Sequence, residues 1–193
     1  MSKIFYIADT HFGHKDIIAF DNRPFFDTKD MRDIIIEKWN SIVTDYDTVY
    51  VIGDMFWDYS WEKANTMSYV LNGKIHIIVG NHDDRHIFLD GCFIGNYEYK
   101  EIEDNGRHVV LCHYPIMFYN NMTNPNWYHL YGHVHAAWDH NMTENWRKQI
   151  EALYLTEWKG YNVGCMMPYM DYTPRTLDEI IAGARKMRGL PKA

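Results

Sequence analysis

The sequence lacks the long apolar runs that mark membrane proteins. No stretch of about 18 consecutive apolar residues occurs in the 193-residue chain, so no membrane-spanning segment is expected. The N-terminal residues also lack the apolar stretch and the small-residue cleavage site of a signal peptide. We therefore expect a cytoplasmic protein that has no membrane partner.

Cysteine and basic residues are also scarce. The three cysteines are scattered and form no Cys-x-x-Cys pair, which argues against a disulfide framework and against thiolate metal or redox chemistry. The net charge is −7. Because broad capture of nucleic acid needs lysine and arginine, this charge disfavours a nucleic acid substrate. It does not exclude a nuclease, since bound metal ions supply positive charge locally.

The order of apolar runs predicts one α/β domain over residues 1–193, without repeats or linkers. Short β-branched or aromatic runs predict six strands, over residues 4–8, 48–52, 75–79, 108–112, 127–131 and 161–163. Helical spacing predicts three helices, over residues 28–43, 60–71 and 176–187. Thr28 or Asp30 is the candidate N-cap of the first helix, and Ser60 that of the second. The first half alternates strand and helix, which favours parallel strands; the closer strands that follow predict hairpins or a meander.

Five of the predicted strands are followed by side chains that can bind metal ions. These side chains belong to Asp9, His11, Asp54, Asn81, His82, Asp83, His113, His133 and His135. A single histidine or aspartate at a strand end is usually a turn residue. Ligands of open α/β sheets, however, bind beyond the carboxyl ends of strands, so five such ends are expected to deliver these side chains to one edge.

The chemistry of these side chains indicates the kind of ion. Carboxylate and imidazole without thiolate suit Mn, Fe, Zn or Ni. Asp9 and His11 are two positions apart, as are His133 and His135, so each pair faces one side of a strand. Neutral ligands alone would leave two dications repelling each other, so a bridging carboxylate is needed. Asp54 is the best placed residue for that role.

In order, the blocks Asp-x-His, Gly-Asp, Gly-Asn-His-Asp, His and Gly-His-x-His resemble the pattern of the calcineurin-like metallophosphoesterase superfamily. They extend from Asp9 to His135. The resemblance implies an α/β fold, namely a four-layer α/β/β/α sandwich with mixed sheets. The chain looks most similar to the small prokaryotic and phage phosphoesterases, whose first block extends to a Phe-Gly-His like that ending at His14. The arginine that protein phosphatases of this superfamily carry after Gly-Asp is absent here.

The resemblance also implies two divalent metal ions per chain, with Mn²⁺ expected and Fe, Zn or Ni as alternatives. The first ion would be held by Asp9, His11, Asp54 and His135. The second would be held by Asp54, Asn81, His113 and His133, so that Asp54 bridges the two.

Four further residues are expected to serve the chemistry or the substrate. The resemblance implies that His82 is a proton donor or phosphate-binding group, and that Asp83 orients it. His14 is a candidate phosphate contact, with a solvated loop position as the alternative. Arg85 is a candidate phosphate clamp, with a salt bridge to a neighbouring aspartate such as Asp84 as the alternative.

These residues favour hydrolysis of a small phosphodiester, nucleotide or phosphomonoester through attack of a metal-activated hydroxide on phosphorus. A metal-dependent nuclease is the alternative. A non-catalytic scaffold should have lost ligands or His82, and none is missing. Residues 114–128 are expected to contact the leaving group, with Tyr119 and Trp127 as candidates. Aromatic residues beside the motifs suit base stacking; core packing or a dimer contact is the other interpretation.

Overall fold

The computed structural model describes residues 2–88 and 93–191, which form eight strands and five α-helices. The strands are β1 (Ile4–Ile7), β2 (Thr48–Ile52), β3 (Lys74–Ile78), β4 (Gly95–Tyr97), β5 (Tyr99–Asp104), β6 (Arg107–Cys112), β7 (Trp127–Tyr131) and β8 (Gly160–Asn162). The helices are α1 (Asp16–Phe20), α2 (Thr28–Asn40), α3 (Trp61–Val70), α4 (Trp138–Tyr154) and α5 (Leu177–Met187). A short 3₁₀ helix spans Arg85–Phe88. None of the helices within these residues is long and apolar enough to cross a membrane.

The first sheet has the strand order β1-β2-β3-β4 and is parallel throughout. Its register places Phe5 opposite Val49, and Val51 opposite Ile77. Parallel strands need crossover connections, which α2 and α3 provide here, and these helices cover apolar strands that are almost entirely buried. The carboxyl ends of β1, β2 and β3 therefore meet at one edge of the sheet.

The second sheet has the order β5-β6-β7-β8 and is mixed. β5 and β6 form an antiparallel hairpin, whereas β6, β7 and β8 are parallel to one another. The expected hairpin is thus confirmed for β5 and β6, but a continuous meander is wrong because α4 forms a crossover between β7 and β8. The two sheets meet where the Ala8 N–H donates to the Val163 carbonyl at 2.8 Å.

Alternate residues of β6 show how the layers pack. Val109 and Leu111 lie in a core shared with the first sheet and with α2, α3 and α5. Val110 faces the other way, into a second cluster that includes Ile150 of α4. Side chains on a strand point alternately to the two faces, so β6 lies between the first sheet and α4. This layering is the expected four-layer α/β/β/α sandwich.

The three predicted helices are confirmed, and their N-termini are capped by side chains. Ser60 accepts from the backbone N–H of Lys63, as expected for α3. Thr176 and Glu179 form a reciprocal capping box on α5. The predicted cap of α2 is wrong: the N-cap is Asp27 rather than Thr28 or Asp30, because Asp27 has extended backbone and accepts from the Asp30 N–H at 2.8 Å.

Candidate metal centre

The backbone turns sharply where the candidate ligands leave the strands. The φ angles of Asp9, His11 and Asp54 are 55°, 48° and 52°. Those of His133 and His135 are 70° and 47°. A left-handed conformation costs a residue other than glycine roughly 1–3 kcal/mol and persists only where the surroundings enforce it. Five such residues within one set of candidate ligands indicate that the backbone is strained in order to direct these side chains.

A first cluster of ligand atoms contains Asp9, His11 and His135. All three side chains are buried, and their ligand atoms lie within 4.8 Å of one another. The Nε2 atoms of His11 and His135 face each other at 3.3 Å. One carboxylate oxygen of Asp54 lies 3.7 Å from the same Nε2 of His11. These are the four residues expected to hold the first ion.

A second cluster contains Asp9, Asp54 and His113, again with ligand atoms within 4.8 Å of one another. His113 Nε2 lies 3.4 Å from Asp54 Oδ2 and 3.1 Å from Asn81 Oδ1. The same Asn81 oxygen lies 2.9 Å from His133 Nδ1. The structure therefore brings all seven candidate ligands together, with Asp54 between the two histidine groups and Asp9 belonging to both.

The hydrogen bonds of His113 test whether these residues suit a cation. Its Nδ1 atom is 2.9 Å from the Ile52 carbonyl oxygen, which can only accept, so Nδ1 carries a proton. In the neutral imidazole, Nε2 then presents a lone pair towards the oxygens of Asp54 and Asn81. Asp9 Oδ2 is buried and has no hydrogen-bond partner among the described residues. A divalent cation satisfies both arrangements, so the residues fit a metal centre.

The protonation equilibria point the same way. Burial favours the neutral form of the Asp54 carboxyl, but its contact with His113 prevails and lowers its pKa to about 2. Burial also disfavours charge on His113, yet the contact with Asp54 and the charge of Asp9 raise its pKa to about 9. For His11, burial dominates and lowers the pKa to about 2. Without a metal ion the site therefore favours a proton on His113, which a cation beside Asp54 would displace, whereas His11 is already neutral.

Two positions beside the candidate ligands have room only for glycine. A Cβ atom on Gly80 would lie 2.1 Å from Asp54 Oδ1 and 2.5 Å from the Asp54 backbone nitrogen. A Cβ atom on Gly53 would lie 2.1 Å from His113 Nδ1. Because real Cβ atoms do not approach other atoms so closely, each of these glycines leaves the space that a candidate ligand from another block occupies.

Asp83 has a different task from the one expected. Its Oδ2 accepts from the backbone N–H groups of Asp54 at 2.8 Å and Gly80 at 2.9 Å, and its Oδ1 accepts from Met55 at 2.9 Å. Both oxygens are thus engaged by backbone, and burial raises the pKa of Asp83 to about 6. Asp83 was expected to orient His82. Its carboxylate instead fixes the turns around Asp54.

His82 and His14 lie on the open side of the cluster. The exposed His82 ring is 5.7 Å from the His11 ring, and its backbone N–H donates to Asp54 Oδ1 at 2.9 Å. The His14 ring is 5.4 Å from that of His11. Trp57 contacts both: it stacks on His14 with centroids 3.7 Å apart and lies 4.6 Å from His82. These histidines line a cavity of about 360 Å³ next to the candidate ligands.

The structure does not bring Arg85 to this cavity. Its half-exposed guanidinium forms an ion pair with Glu98 rather than with Asp84, whose carboxylate accepts from the His86 N–H. Arg85 lines a different cavity, which it shares with Tyr99. The expected contact of Arg85 with a phosphate group stays a prediction.

The segment over residues 114–128 contributes one aromatic residue to the site. The Tyr114 ring is 47% exposed and lies 4.6 Å from the ring of His133. Tyr119, an expected substrate contact, is instead buried in the second core cluster. Trp127, the other candidate, stacks on His108 at 4.5 Å. The expectation for Tyr119 is therefore wrong, and Tyr114 is the aromatic residue of this segment that reaches the candidate ligands.

Two residues of the site were not singled out from the sequence. Asp21 lies 3.0 Å from His135 Nδ1, and Arg23 forms a salt bridge with Asp21 at 2.8 Å. Burial opposes ionisation of Asp21, but His135 and Arg23 outweigh it and lower the pKa of this carboxyl. An Asp-x-Arg pair in a polar segment has the appearance of a surface ion pair, so the sequence alone carried no signal for this role.

Comparisons with known proteins agree with this geometry. The sequence profile of the calcineurin-like phosphoesterases matches residues 2–168. An uncharacterized protein of Methanocaldococcus jannaschii is 31% identical over 182 residues, covering 94% of this chain and 90% of that protein. The gene 66 protein of Mycobacterium phage L5 is 29% identical over 89 residues, covering 45% of this chain and 42% of that protein.

A solved structure shows the same fold. It is that of a protein of unknown function from Aquifex aeolicus, with a TM-score of 0.68 and 23% identity, covering 98% of this chain and 99% of that one. The range matched by the family profile contains every candidate ligand from Asp9 to His135. The chain belongs to the calcineurin-like phosphoesterase family.

Proposed function

We propose that this chain is a dinuclear-metal-dependent phosphoesterase whose substrate is a small phosphodiester, nucleotide or phosphomonoester. The observation that carries the proposal is the pair of Asp–His clusters that share Asp9, each with ligand atoms within 4.8 Å of one another. The contacts of Asp54 with His11 and His113 support a bridging role for this carboxylate. Membership of the family supports phosphoester hydrolysis in general.

In this proposal each ion has three ligands of its own and shares Asp54; Asp9, which lies in both clusters, is assigned to the first ion. The first is held by Asp9, His11 and His135, and the second by Asn81, His113 and His133. Two bound ions would supply a nucleophile at neutral pH and neutralise charge on the phosphoryl oxygens. Mn²⁺ is the proposed activator, and Fe, Zn and Ni are the alternatives that imidazole and carboxylate ligands also suit.

The chain's own histidines supply the remaining chemistry. His82 donates a proton to the leaving oxygen, which is supported by its exposed ring beside His11. His14 binds a phosphoryl oxygen, and its flat contact with Trp57 supports a fixed ring orientation. Because Trp57 touches both rings, it holds the two histidines on the same side of the cavity.

The shape of the cavity supports a small substrate. Its volume is about 360 Å³, and Ile17, Phe20 and Trp57 line it together with the candidate ligands. Phe20 is 64% exposed and meets the His135 ring edge-on at 5.7 Å, which leaves an apolar face for a leaving group. The net charge of −7 disfavours capture of a long nucleic acid backbone.

The proposal is tested by assaying Mn²⁺-reconstituted protein on phosphomonoesters, phosphodiesters, cyclic nucleotides and oligonucleotides, at two salt concentrations. We expect turnover of at least one small ester, a shallow salt dependence, and a change in substrate preference in Tyr114→Ala and Phe20→Ala. Efficient cleavage of long DNA or RNA with a steep salt dependence would make the chain a nuclease. Two bound ions without turnover of any ester would favour a scaffold.

A further inference from the structure

We infer that Asp21 and Arg23 are positioning residues of the metal centre: Asp21 fixes the tautomer of His135, and Arg23 holds Asp21 and the backbone beside Asp9. The inference rests on the proposed function, since it concerns how the first ion's ligands are held. It adds two residues that lie between the first motif block and α2, outside every block of the family pattern.

The contact between Asp21 and His135 fixes which imidazole nitrogen is free. Both carboxylate oxygens of Asp21 lie 3.0 Å from His135 Nδ1. Since a carboxylate can only accept, Nδ1 carries the proton, and in the neutral imidazole Nε2 carries the lone pair. That Nε2 atom is the one that faces His11 Nε2 at 3.3 Å. A carboxylate behind a histidine in this way orients the ring and increases the basicity of its metal-binding nitrogen.

Arg23 connects this carboxylate to the first strand. Its Nε and one Nη atom donate to Asp21 Oδ2 at 2.9 and 2.8 Å. The same Nη donates to the Asp9 carbonyl at 2.8 Å, and the other Nη donates to the Thr10 carbonyl at 3.0 Å. One planar guanidinium thus ties the partner of His135 to the two peptide groups that precede His11.

The carbonyls that Arg23 binds belong to the strained part of the chain. Asp9 and His11 have left-handed backbone conformations, with φ angles of 55° and 48°. The chain therefore departs from the extended conformation of β1 at these residues. Arg23 supplies donors to the carbonyls of Asp9 and Thr10 at this point. Without them, the strained backbone would lose the bonds that keep Asp9 and His11 aimed at the same point.

Stability alone is a poor explanation for this arrangement. The side chains of Arg23 and Asp21 are 0% and 2% exposed. Ion pairs buried to this degree lose most of their attraction to desolvation, and apolar residues of similar volume often stabilise a fold as well. The pair contacts His135, which follows a strand of the second sheet, and the backbone of Asp9, which follows a strand of the first sheet. These two contacts account for charged residues at these positions.

The test is metal affinity rather than activity. We would titrate Mn²⁺ into metal-free wild type, Asp21→Asn, Arg23→Lys and the exposed ion-pair control Asp33→Asn, following each of the two binding steps. Asn keeps the size of Asp21 but not its charge. Lys keeps the charge of Arg23 but not the several N–H donors of its planar guanidinium. We expect both site variants to weaken one binding step about 10- to 100-fold and the other at most a few-fold. Asp33→Asn should match the wild type.

A second readout is the imidazole ¹⁵N spectrum of the metal-free protein at alkaline pH, where the His135 imidazole is neutral. We expect the Nδ1–H tautomer of His135 in the wild type and a mixture of tautomers in Asp21→Ala. If the wild type binds two ions and Asp21→Asn binds each of them as tightly as the wild type does, the inference is wrong while the proposed function stands. An equal loss of both binding steps, together with a lower melting temperature, would show a merely structural role. A wild type that binds no ion would overturn the proposed function and the inference with it.

Discussion

The Nε2 atoms of His11 and His135 lie 3.3 Å apart, although the two histidines are 124 positions apart in the chain. His11 follows β1 of the first sheet, and His135 follows β7 of the second. With Nδ1 of His135 bound to Asp21, two nitrogen atoms face each other across a space that suits a cation. The candidate metal centre therefore depends on how the two sheets pack, and a change that separates them should release metal.

Replacement of His82 should impair the chemistry and spare the metals. We expect His82→Ala to retain both ions but to lose about 2.7–5.5 kcal/mol of transition-state stabilisation on esters with poor leaving groups. The loss should shrink for nitrophenyl esters, whose leaving group needs no proton. Steady-state kinetics on matched alkyl and nitrophenyl esters measure this difference. The exposed His86 offers a control, since His86→Ala should leave both rates unchanged. An equal loss on both esters would make His82 a phosphate-binding residue.

A methyl group at Gly80 should disrupt the site by steric overlap with a candidate ligand. A Cβ atom there would overlap Asp54, whereas a Cβ atom on Gly106 meets nothing within 4 Å. Gly80→Ala should therefore lose metal affinity and about 100-fold or more in hydrolysis rate, because Asp54 would be displaced. Gly106 has a φ of +77°, so Gly106→Ala should cost about 1 kcal/mol of stability while keeping its activity. Metal titration and urea unfolding of both variants separate the two effects. A fully active Gly80→Ala would show that the block tolerates a displaced Asp54.

His129 should make the fold sensitive to acid. It is fully buried between the Val110 carbonyl, which accepts from Nδ1, and the Ile116 N–H, which donates to Nε2. Burial lowers its pKa from 6.5 to about 4. Between these values the unfolded chain binds more protons than the folded one, so stability falls as the pH drops from 6.5 to 4, by roughly 3 kcal/mol.

His129→Gln should remove this pH dependence, because a neutral amide can donate and accept in the same places. Urea unfolding of metal-free protein at pH 7 and pH 4 gives the free energy of unfolding for wild type and variant. We expect the wild type to lose more stability than the variant by the amount above, while other titrating groups cancel in the comparison. Equal losses in the two proteins would mean that His129 is not the group responsible.

The elements that the sequence predicted are those whose apolar residues follow a clear period. All six predicted strands and three predicted helices are present, within a few residues of their expected ends. α4 was missed because its core-facing positions include Thr143 and Arg147 as well as Ile150, and the arginine is neutralised by Glu144 and Glu151. Hydrophobic periodicity cannot show a helix whose buried face is partly polar.

The hairpin strand β5 was missed for a related reason. It is an outer strand of the second sheet, and only its last residue, Asp104, is buried. Its side chains are therefore largely polar on both faces, and the run Tyr-Lys-Glu-Ile-Glu-Asp lacks the apolar alternation of a half-buried strand. β6 follows after the two-residue turn Asn105-Gly106, and pairing with β6 makes this polar run a strand. The Asn-Gly turn was the signal in the sequence that could have located the hairpin.

The site shows a similar division. The ligands from Asp9 to His135 were predictable because they follow strands and match an ordered family pattern. The tasks of Asp83 and Arg23 were not, because both act on backbone groups of other segments: Asp83 on the turns around Asp54, and Arg23 on the carbonyls that follow β1. Hydrogen bonds to backbone depend on three-dimensional folding and leave no residue pattern.

The most direct test of the account is the metal content and activity of Asp54→Ala. Asp54 lies within 3.7 Å of His11 Nε2 and 3.4 Å of His113 Nε2, so its removal takes a shared ligand from both ions. Elemental analysis of Mn²⁺-reconstituted protein should find two ions per chain in the wild type and in the exposed control Asp45→Ala. It should find neither ion tightly held in Asp54→Ala, which should not hydrolyse phosphoesters. A fully active Asp54→Ala that keeps a tightly bound ion would contradict the bridged dinuclear centre.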